Sequence, residues 1–258
     1  MIRKSKPSDF TSLDGVRPLG LSIIVPAFNE EKTICRVICD LVELNCSFST
    51  EIIVLNDGST DRTNEIILQP KHIFHITYVN NLANRGKGNV VREGFLMARY
   101  SHVLIFDADL EYFATDIPLM FAPIQKGLTN VVFGSRIRGV NTMQPSFIFS
   151  LGRQLMTLYI NLLFGSALTD LHTCFKLIPV DYLIGQDLVE NGFGLDTEIT
   201  CLLLKNQAHP FEIPITYIGR TSSQGKKIGL LDALICVKII TMKRVTRPKR
   251  SINFETAI

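Results

Sequence analysis

His102-Val103-Leu104-Ile105-Phe106-Asp107-Ala108-Asp109-Leu110-Glu111 runs from an apolar segment straight into three acids. An apolar run of this length reads as a buried strand, and acids at its exit sit where an open α/β sheet presents ligands. Carboxylates at i and i+2 can both meet one ion once the strand loosens into a turn. Hard cations such as Mg²⁺ are typically held by one or two carboxylates together with substrate phosphate oxygens. A lone DxD is also what a solvated acidic turn looks like, so the surrounding elements decide its meaning.

Apolar runs alternate with amphipathic segments on the N-terminal side. Strands are predicted over 21–26, 51–55, 73–79 and 103–106, and helices over 30–44, 60–68 and 87–100. Ile34, Val37, Ile38 and Leu41 share one face of the first helix. This β-α-β-α order predicts a mostly parallel sheet with right-handed crossovers, flanked by helices. Beyond Asp107 the pattern weakens to a strand over 131–134, a long amphipathic helix over 148–164 and a late strand over 211–217.

The other strand ends carry polar groups too. The first closes on Pro26-Ala27-Phe28-Asn29-Glu30-Glu31, where Asn29 and Glu30 also suit a helix start. The second closes on Asn56-Asp57-Gly58-Ser59-Thr60-Asp61. Asp57 there can accept from a base or ribose hydroxyl, or serve an ordinary turn. Asn84-Arg85-Gly86-Lys87-Gly88-Asn89 is a Gly-rich basic loop opening a helix, able to cradle phosphate yet unlike a P-loop. The carboxyl ends of the first, second and fourth strands of a parallel sheet lie on one edge, so their acids converge on one crevice.

With 258 residues, 46% of them hydrophobic, the chain can bury a large core. Residues 1–20 read as an N-terminal tail, 21–245 as a single domain and 246–258 as a basic C-terminal tail. A net charge of +3 with 20% charged residues gives no support for a nucleic-acid partner. Residues 1–20 carry no apolar signal segment, and the longest charge-free stretch, 154–169, is shorter than a spanning helix needs. Six cysteines do not suggest a disulfide scaffold in a chain of this size. Cys35 and Cys39 lie one helical turn apart with Cys46 beyond them. No second Cys or His pair stands at zinc spacing, so buried thiols are expected.

The ordered set Ile24-Val25-Pro26-Ala27-Phe28-Asn29-Glu30-Glu31, Leu55-Asn56-Asp57-Gly58-Ser59-Thr60-Asp61, Gly86-Lys87-Gly88 and Asp107-Ala108-Asp109 resembles the family 2 glycosyltransferases of GT-A fold. Four later pieces narrow the likeness: Gly134-Ser135-Arg136, the stretch from Asp170 to Lys176, Glu212-Ile213-Pro214-Ile215 before Gly219-Arg220-Thr221, and Gly225-Lys226-Lys227-Ile228. They are similar to the dolichyl- or polyprenyl-phosphate sugar transferases, the dolichol-phosphate mannosyltransferase group. The likeness runs from about Leu21 to Ile240.

The resemblance implies an inverting, metal-dependent hexosyltransferase moving mannose or glucose from a GDP- or UDP-linked donor to a polyprenyl phosphate. It implies that Pro26, Phe28, Glu30, Leu55 and Asp57 form the nucleotide pocket. Asp107, Ala108 and Asp109 would hold the diphosphate and a divalent ion, Mg²⁺ or Mn²⁺. Glu111 stands where the family often has Gln as a further metal ligand, so a carboxylate there is a departure. Asn56 replaces an Asp often seen at that motif's start. Arg136 and Arg153 match the region that receives the acceptor phosphate, and Arg220 and Lys226 a loop that closes on the donor diphosphate.

The chemistry agrees with these expectations. A departing diphosphate needs positive charge, whereas a lipid phosphate is already an anionic nucleophile and requires no strong base. His72 and His75, read on opposite sides of the third strand, and His102, His172 and His209 are therefore expected to be structural. Asp196 and Glu198 remain as a base for a hydroxyl or glycan acceptor, unless they simply complement a helix start. A sugar-1-phosphate nucleotidyltransferase would show a Gly-rich loop after the first strand, where Pro26-Ala27-Phe28-Asn29-Glu30 stands instead. A non-catalytic nucleotide-sugar binder would have little use for both the acid pair and Arg220. An apolar helix over 228–240 runs into Lys243, Arg244, Arg247, Lys249 and Arg250. It predicts a cytoplasmic protein held peripherally on an anionic membrane surface, with a core-packing last helix as the other reading.

Overall fold

The computed structural model describes residues 16–139, 141–143, 147–192, 194–220 and 230–246, with backbone only at 70–71, 148–149 and 230–232. The N-terminal half alternates strand and helix: β1 (Leu21–Ala27), α1 (Ile34–Val42), β2 (Thr50–Asn56), α2 (Thr63–Ile67), α3 (Pro70–Ile73), β3 (Thr77–Asn80), α4 (Lys87–Met97) and β4 (His102–Ile105). The second half adds α5 (Ile117–Gln125), β5 (Val132–Ser135), β6 (Thr142–Met143), α6 (Phe147–Phe164) and β7 (Lys176–Pro179). It ends with α7 (Gly194–Lys205), β8 (Phe211–Pro214), β9 (Tyr217–Ile218) and α8 (Leu230–Val245).

Seven strands form one sheet in the order β3-β2-β1-β4-β7-β5-β8. The first four are mutually parallel, with Pro26 beside Leu55 and Ile24 beside Ile105. β7 is antiparallel to both of its neighbours, and β8 runs parallel to β5. This is the mostly parallel, helix-flanked sheet that the strand and helix order predicts.

Strand alternation places helices on both faces. Leu21, Ile23 and Val25 pack with Ile34, Val37, Ile38 and Leu41 of α1 and with Met120 and Phe121 of α5. Ile24, on the opposite face, packs with Val90, Val91 and Phe95 of α4 and with Leu195, Ile199 and Leu203 of α7. Trimming one such fully buried aliphatic side chain to Ala costs about 2–5 kcal/mol, enough to threaten a domain of ordinary stability.

Three local expectations need correction. Pro70 begins a helical turn, as Pro favours a first helical position, so α3 precedes a shorter β3. His72 therefore lies buried on α3 and His75 exposed beyond it, instead of both lying on a strand. The late strand breaks after Pro214, which lacks the N–H to continue a ladder. The Thr216 N–H turns to Asp116 Oδ2 (2.7 Å), and β9 pairs with β6 in a separate ribbon. β7, finally, had no counterpart among the predicted strands.

Candidate active site

The loops after β1 and β2 are tied together by their own polar side chains. Asn29, at φ +57°, adopts the left-handed conformation that Asn tolerates. Its Oδ1 accepts the Thr60 N–H (2.9 Å), and its own N–H donates to Ser59 Oγ (2.9 Å). The Glu30 N–H donates to Thr63 Oγ1 (2.8 Å), and its carboxylate accepts from the Thr33 hydroxyl (2.7 Å). Asp57 is buried and accepts the N–H groups of Arg85 and Gly86, one on each oxygen at 2.9 Å. It thus anchors the basic loop besides any ribose or base it contacts.

The glycines of that loop serve close packing. A Cβ on Gly86, at φ +90°, would lie 2.4 Å from the Asn191 carbonyl oxygen, and one on Gly88 would lie 2.0 Å from that of Glu190. The Gly88 N–H donates to Asn191 O (2.8 Å), so it is directed at the protein itself and not at a phosphate cradle. This packing delivers Lys87. Its Nζ is 2.7 Å from Asp107 Oδ1, 3.4 Å from Cys174 Sγ and 3.9 Å from Asp196 Oδ2. Burial disfavours the Lys87 charge, but the acids around it, Asp107 foremost, prevail and keep it protonated.

At the exit of β4 the chain turns through Leu110, at φ +62°. A side chain in that region costs about 1–2 kcal/mol. The turn lets the Glu111 N–H reach Asp109 Oδ1 (3.1 Å). Asp109 Oδ2 accepts from the Arg220 guanidinium at 2.8 Å. Burial, and next the charges of Asp107 and Glu111, push the Asp109 carboxyl up to about 7 despite Arg220. Glu111 accepts the Tyr217 hydroxyl and the Arg220 N–H, both at 2.7 Å. Glu111 therefore holds the segment that carries Arg220, a use not foreseen from its position beside a metal motif. Ala108 is buried between the two acids.

Arg136, expected to face an acceptor phosphate, is buried and directs its fork at Asp170, with both bonds at 2.7 Å. Its guanidinium also stacks over Tyr217, 5.0 Å from the ring centre. Burial opposes the Asp170 charge, but Arg136 overrides it and keeps the carboxyl below its usual range. Burial, then the Arg136 charge, lowers the Arg153 pKa. Arg136 thus stands as an internal ion pair in this arrangement, not as an open receiver.

Of the two acids considered as a base, Asp196 is buried beside Lys176 (3.8 Å) and Lys87. Burial opposes its charge, yet these lysines hold its pKa below the usual range, which makes it a weak base. Glu198 is fully buried and accepts the N–H groups of Val189 and Glu190 and the Lys243 ammonium (2.6 Å). Sequence reasoning gave no role to Asp170, Lys176 or Tyr217. The 170–176 motif contained two of them, but only the fold brings that motif beside Arg136 and Lys87. Lys226, Arg247, Lys249 and Arg250 lie outside the described residues.

Residues 22–183 match the sequence profile of Glycosyl transferase family 2, and the chain belongs to that family. It is similar to glycosyltransferase AglJ of Haloferax volcanii, with 26% identity over 206 residues, covering 79% of this chain and 64% of that one. It is also similar to the dolichyl-phosphate beta-glucosyltransferase of Saccharomyces cerevisiae, with 29% identity over 250 residues, covering 87% of this chain and 74% of the yeast protein. A Trichomonas vaginalis dolichyl-phosphate beta-glucosyltransferase is 36% identical over 128 residues, 45% of this chain and 39% of its own length. Among solved structures, Mycobacterium tuberculosis glucosyl-3-phosphoglycerate synthase, crystallised with Mn²⁺, UDP and phosphoglyceric acid, superposes with a TM-score of 0.67. That match, at 16% identity, covers 95% of this chain and 85% of the other. The fold is the GT-A arrangement.

Proposed function

We propose that this protein transfers a hexose, with glucose the first candidate, from a nucleoside-diphosphate sugar to a polyprenyl-type phosphate, inverting the anomeric carbon. One observation carries the reading: Lys87 meets Asp107 and Arg220 meets Asp109 at the exit of β4, on the edge where β1 and β2 also end. Fixed cations beside crowded acids suit a diphosphate leaving group, whose charge grows as the sugar departs. Two of the named relatives are dolichyl-phosphate glucosyltransferases, which favours glucose over mannose, and the solved neighbour crystallised with UDP favours a UDP-linked over a GDP-linked donor.

Asp107 and Asp109 offer the hard oxygen donors that Mg²⁺ or Mn²⁺ prefers. Burial, and next the charges of Asp107 and Glu111, raise the Asp109 pKa, and a bound cation would relieve the part due to those charges. Such an ion, when bound, would neutralise diphosphate charge. Pro26, Phe28, Glu30, Leu55 and Asp57 surround the nucleotide in this reading, with Arg220 and Lys226 on the diphosphate. Arg153 meets the acceptor phosphate, and Arg136 positions that region through Asp170. The phosphate nucleophile arrives ionised, so neither the weakly basic Asp196 nor the engaged Glu198 has to remove a proton.

Peripheral contact with a membrane, on its cytoplasmic side, belongs to the same proposal. Phe147, Leu151, Leu155, Leu158 and Leu162 are exposed on α6 at spacings that keep them on one stripe. No helix among the described residues is long and apolar enough to cross a membrane.

The test incubates purified protein and Mg²⁺ or Mn²⁺ with UDP-glucose, GDP-mannose and other nucleotide sugars, plus polyprenyl phosphate, and identifies the lipid product. An inverted glucosyl lipid phosphate is expected. Sugar found only on soluble acceptors sinks the lipid assignment, and retained configuration sinks the inverting one.

A further inference from the structure

Cys35 and Cys39 stand one turn apart on α1, and α3 brings His72 to them. One ligand atom from each of the three lies within 4.8 Å of the others. Sequence spacing shows only the thiol pair, because the third group comes from a separate element. We propose that these three side chains form a binding site for Zn²⁺, distinct from the acids at the end of β4.

The donor chemistry selects the ion. Thiolate and imidazole suit zinc, whereas Mg²⁺ and Mn²⁺ prefer carboxylate and phosphate oxygens. On a tetrahedral zinc ion, two sulfurs lie about 3.8 Å apart, and a sulfur and a nitrogen about 3.5 Å. The present spread of up to 4.8 Å lies about 1 Å above those separations. Residues i and i+4 on a helix face the same way, so both thiols share one face of α1, and buried His72 comes to them from α3. The cysteines are only half-buried, which leaves a path for the ion and for a water as fourth ligand. A bound ion would tie the helix that follows β1 to the turn that precedes β3. Thiols must lose protons to bind, so zinc uptake releases protons and weakens as the pH falls.

The full chain, reduced and stripped of metal by chelation, is titrated with Co²⁺ as a spectroscopic probe and then with Zn²⁺. About one equivalent of Co²⁺ should give thiolate-to-cobalt charge transfer and tetrahedral visible bands. Zn²⁺ should abolish them, and millimolar Mg²⁺ should not. Cys35→Ser and Cys39→Ser should each weaken zinc binding by more than the 10–100-fold that loss of a mere supporting partner causes. Cys46→Ser, outside the cluster, should change nothing. Should a serine variant fold poorly, His72→Gln reads the same site with both thiols kept, and its zinc affinity and zinc-induced rise in Tm should both fall. A wild-type chain without the thiolate band overturns the proposal. So does an unchanged band in Cys39→Ser, or unchanged zinc affinity in His72→Gln.

Discussion

Asp109 sits among Asp107, Glu111 and Arg220, and its carboxyl titrates near 7 because burial and two acids outweigh one guanidinium. Asp109→Asn keeps size and removes charge. Loss of its charge stabilisation in the transition state should lower metal-dependent turnover at least about a hundredfold, or roughly 3 kcal/mol. The melting temperature should stay close to that of the parent. Near-normal turnover in a folded variant would remove Asp109 from the site. His102 supplies a separate pH prediction. Burial lowers its pKa from 6.5 to about 4 in the folded chain, so the unfolded chain binds the proton more tightly. Its share of stability is complete above pH 6.5 and falls progressively as pH drops toward 4. The loss should reach about 2 kcal/mol at pH 5 relative to pH 7.5. Denaturant melts of His102→Phe at both pH values should show that much less pH dependence, and an undiminished difference rejects the assignment.

At the scale of elements, α8 is held down by two of its own basic side chains. Lys243 pairs with Glu198 and also donates to Asp187 O (2.8 Å), while Arg244 donates to Leu163 O (2.8 Å). Those two residues clamp α8 onto α7 and α6, so the core-packing reading of the last helix is right for them. Lys243→Met leaves the buried Glu198 carboxylate without its cation. Because Lys243 is itself partly exposed, the cost should be roughly 1–3 kcal/mol, below that of a fully buried pair. Thermal melting measures it, and an unchanged Tm rejects the clamp. The same scale explains what could be read in advance. Strand-end acids were legible because carboxylates directly after apolar runs announce themselves. β7 was not, since it opens on Lys176, and only the fold supplies the Leu171 and Thr173 carbonyls that receive the buried ammonium. The turn carrying His72 was hidden because the apolar and β-branched residues after it overrode the helix signal of Pro70.

For the whole molecule, α6 presents an apolar stripe running from Phe147, 80% exposed, to Leu162, 74% exposed. Five large apolar side chains on one face offer more to a lipid surface than the two clamped cations do. Leu155→Ser with Leu158→Ser should therefore reduce co-sedimentation with vesicles several-fold. Raising the salt should matter less than it would for a purely electrostatic contact. Full retention by the double variant, or complete release by salt alone, would contradict the stripe as the contact. The placement of this helix was legible in the sequence, but its outward apolar face was not, since a core helix shows the same periodicity.

The antiparallel β7 also dictates an order of assembly. β3, β2, β1 and β4 lie within the first 105 residues, whereas the neighbour that covers the other side of β4 arrives only with residues 176–179. A nascent chain that has folded its parallel quartet exposes the hydrogen-bonding edge of β4 until those residues emerge. An uncovered apolar edge is a template for pairing with another chain. A chain cut after residue 165 should therefore aggregate on expression, and one reaching residue 183 should be measurably more soluble. Equal solubility of the two fragments would show that something else shields β4 during synthesis.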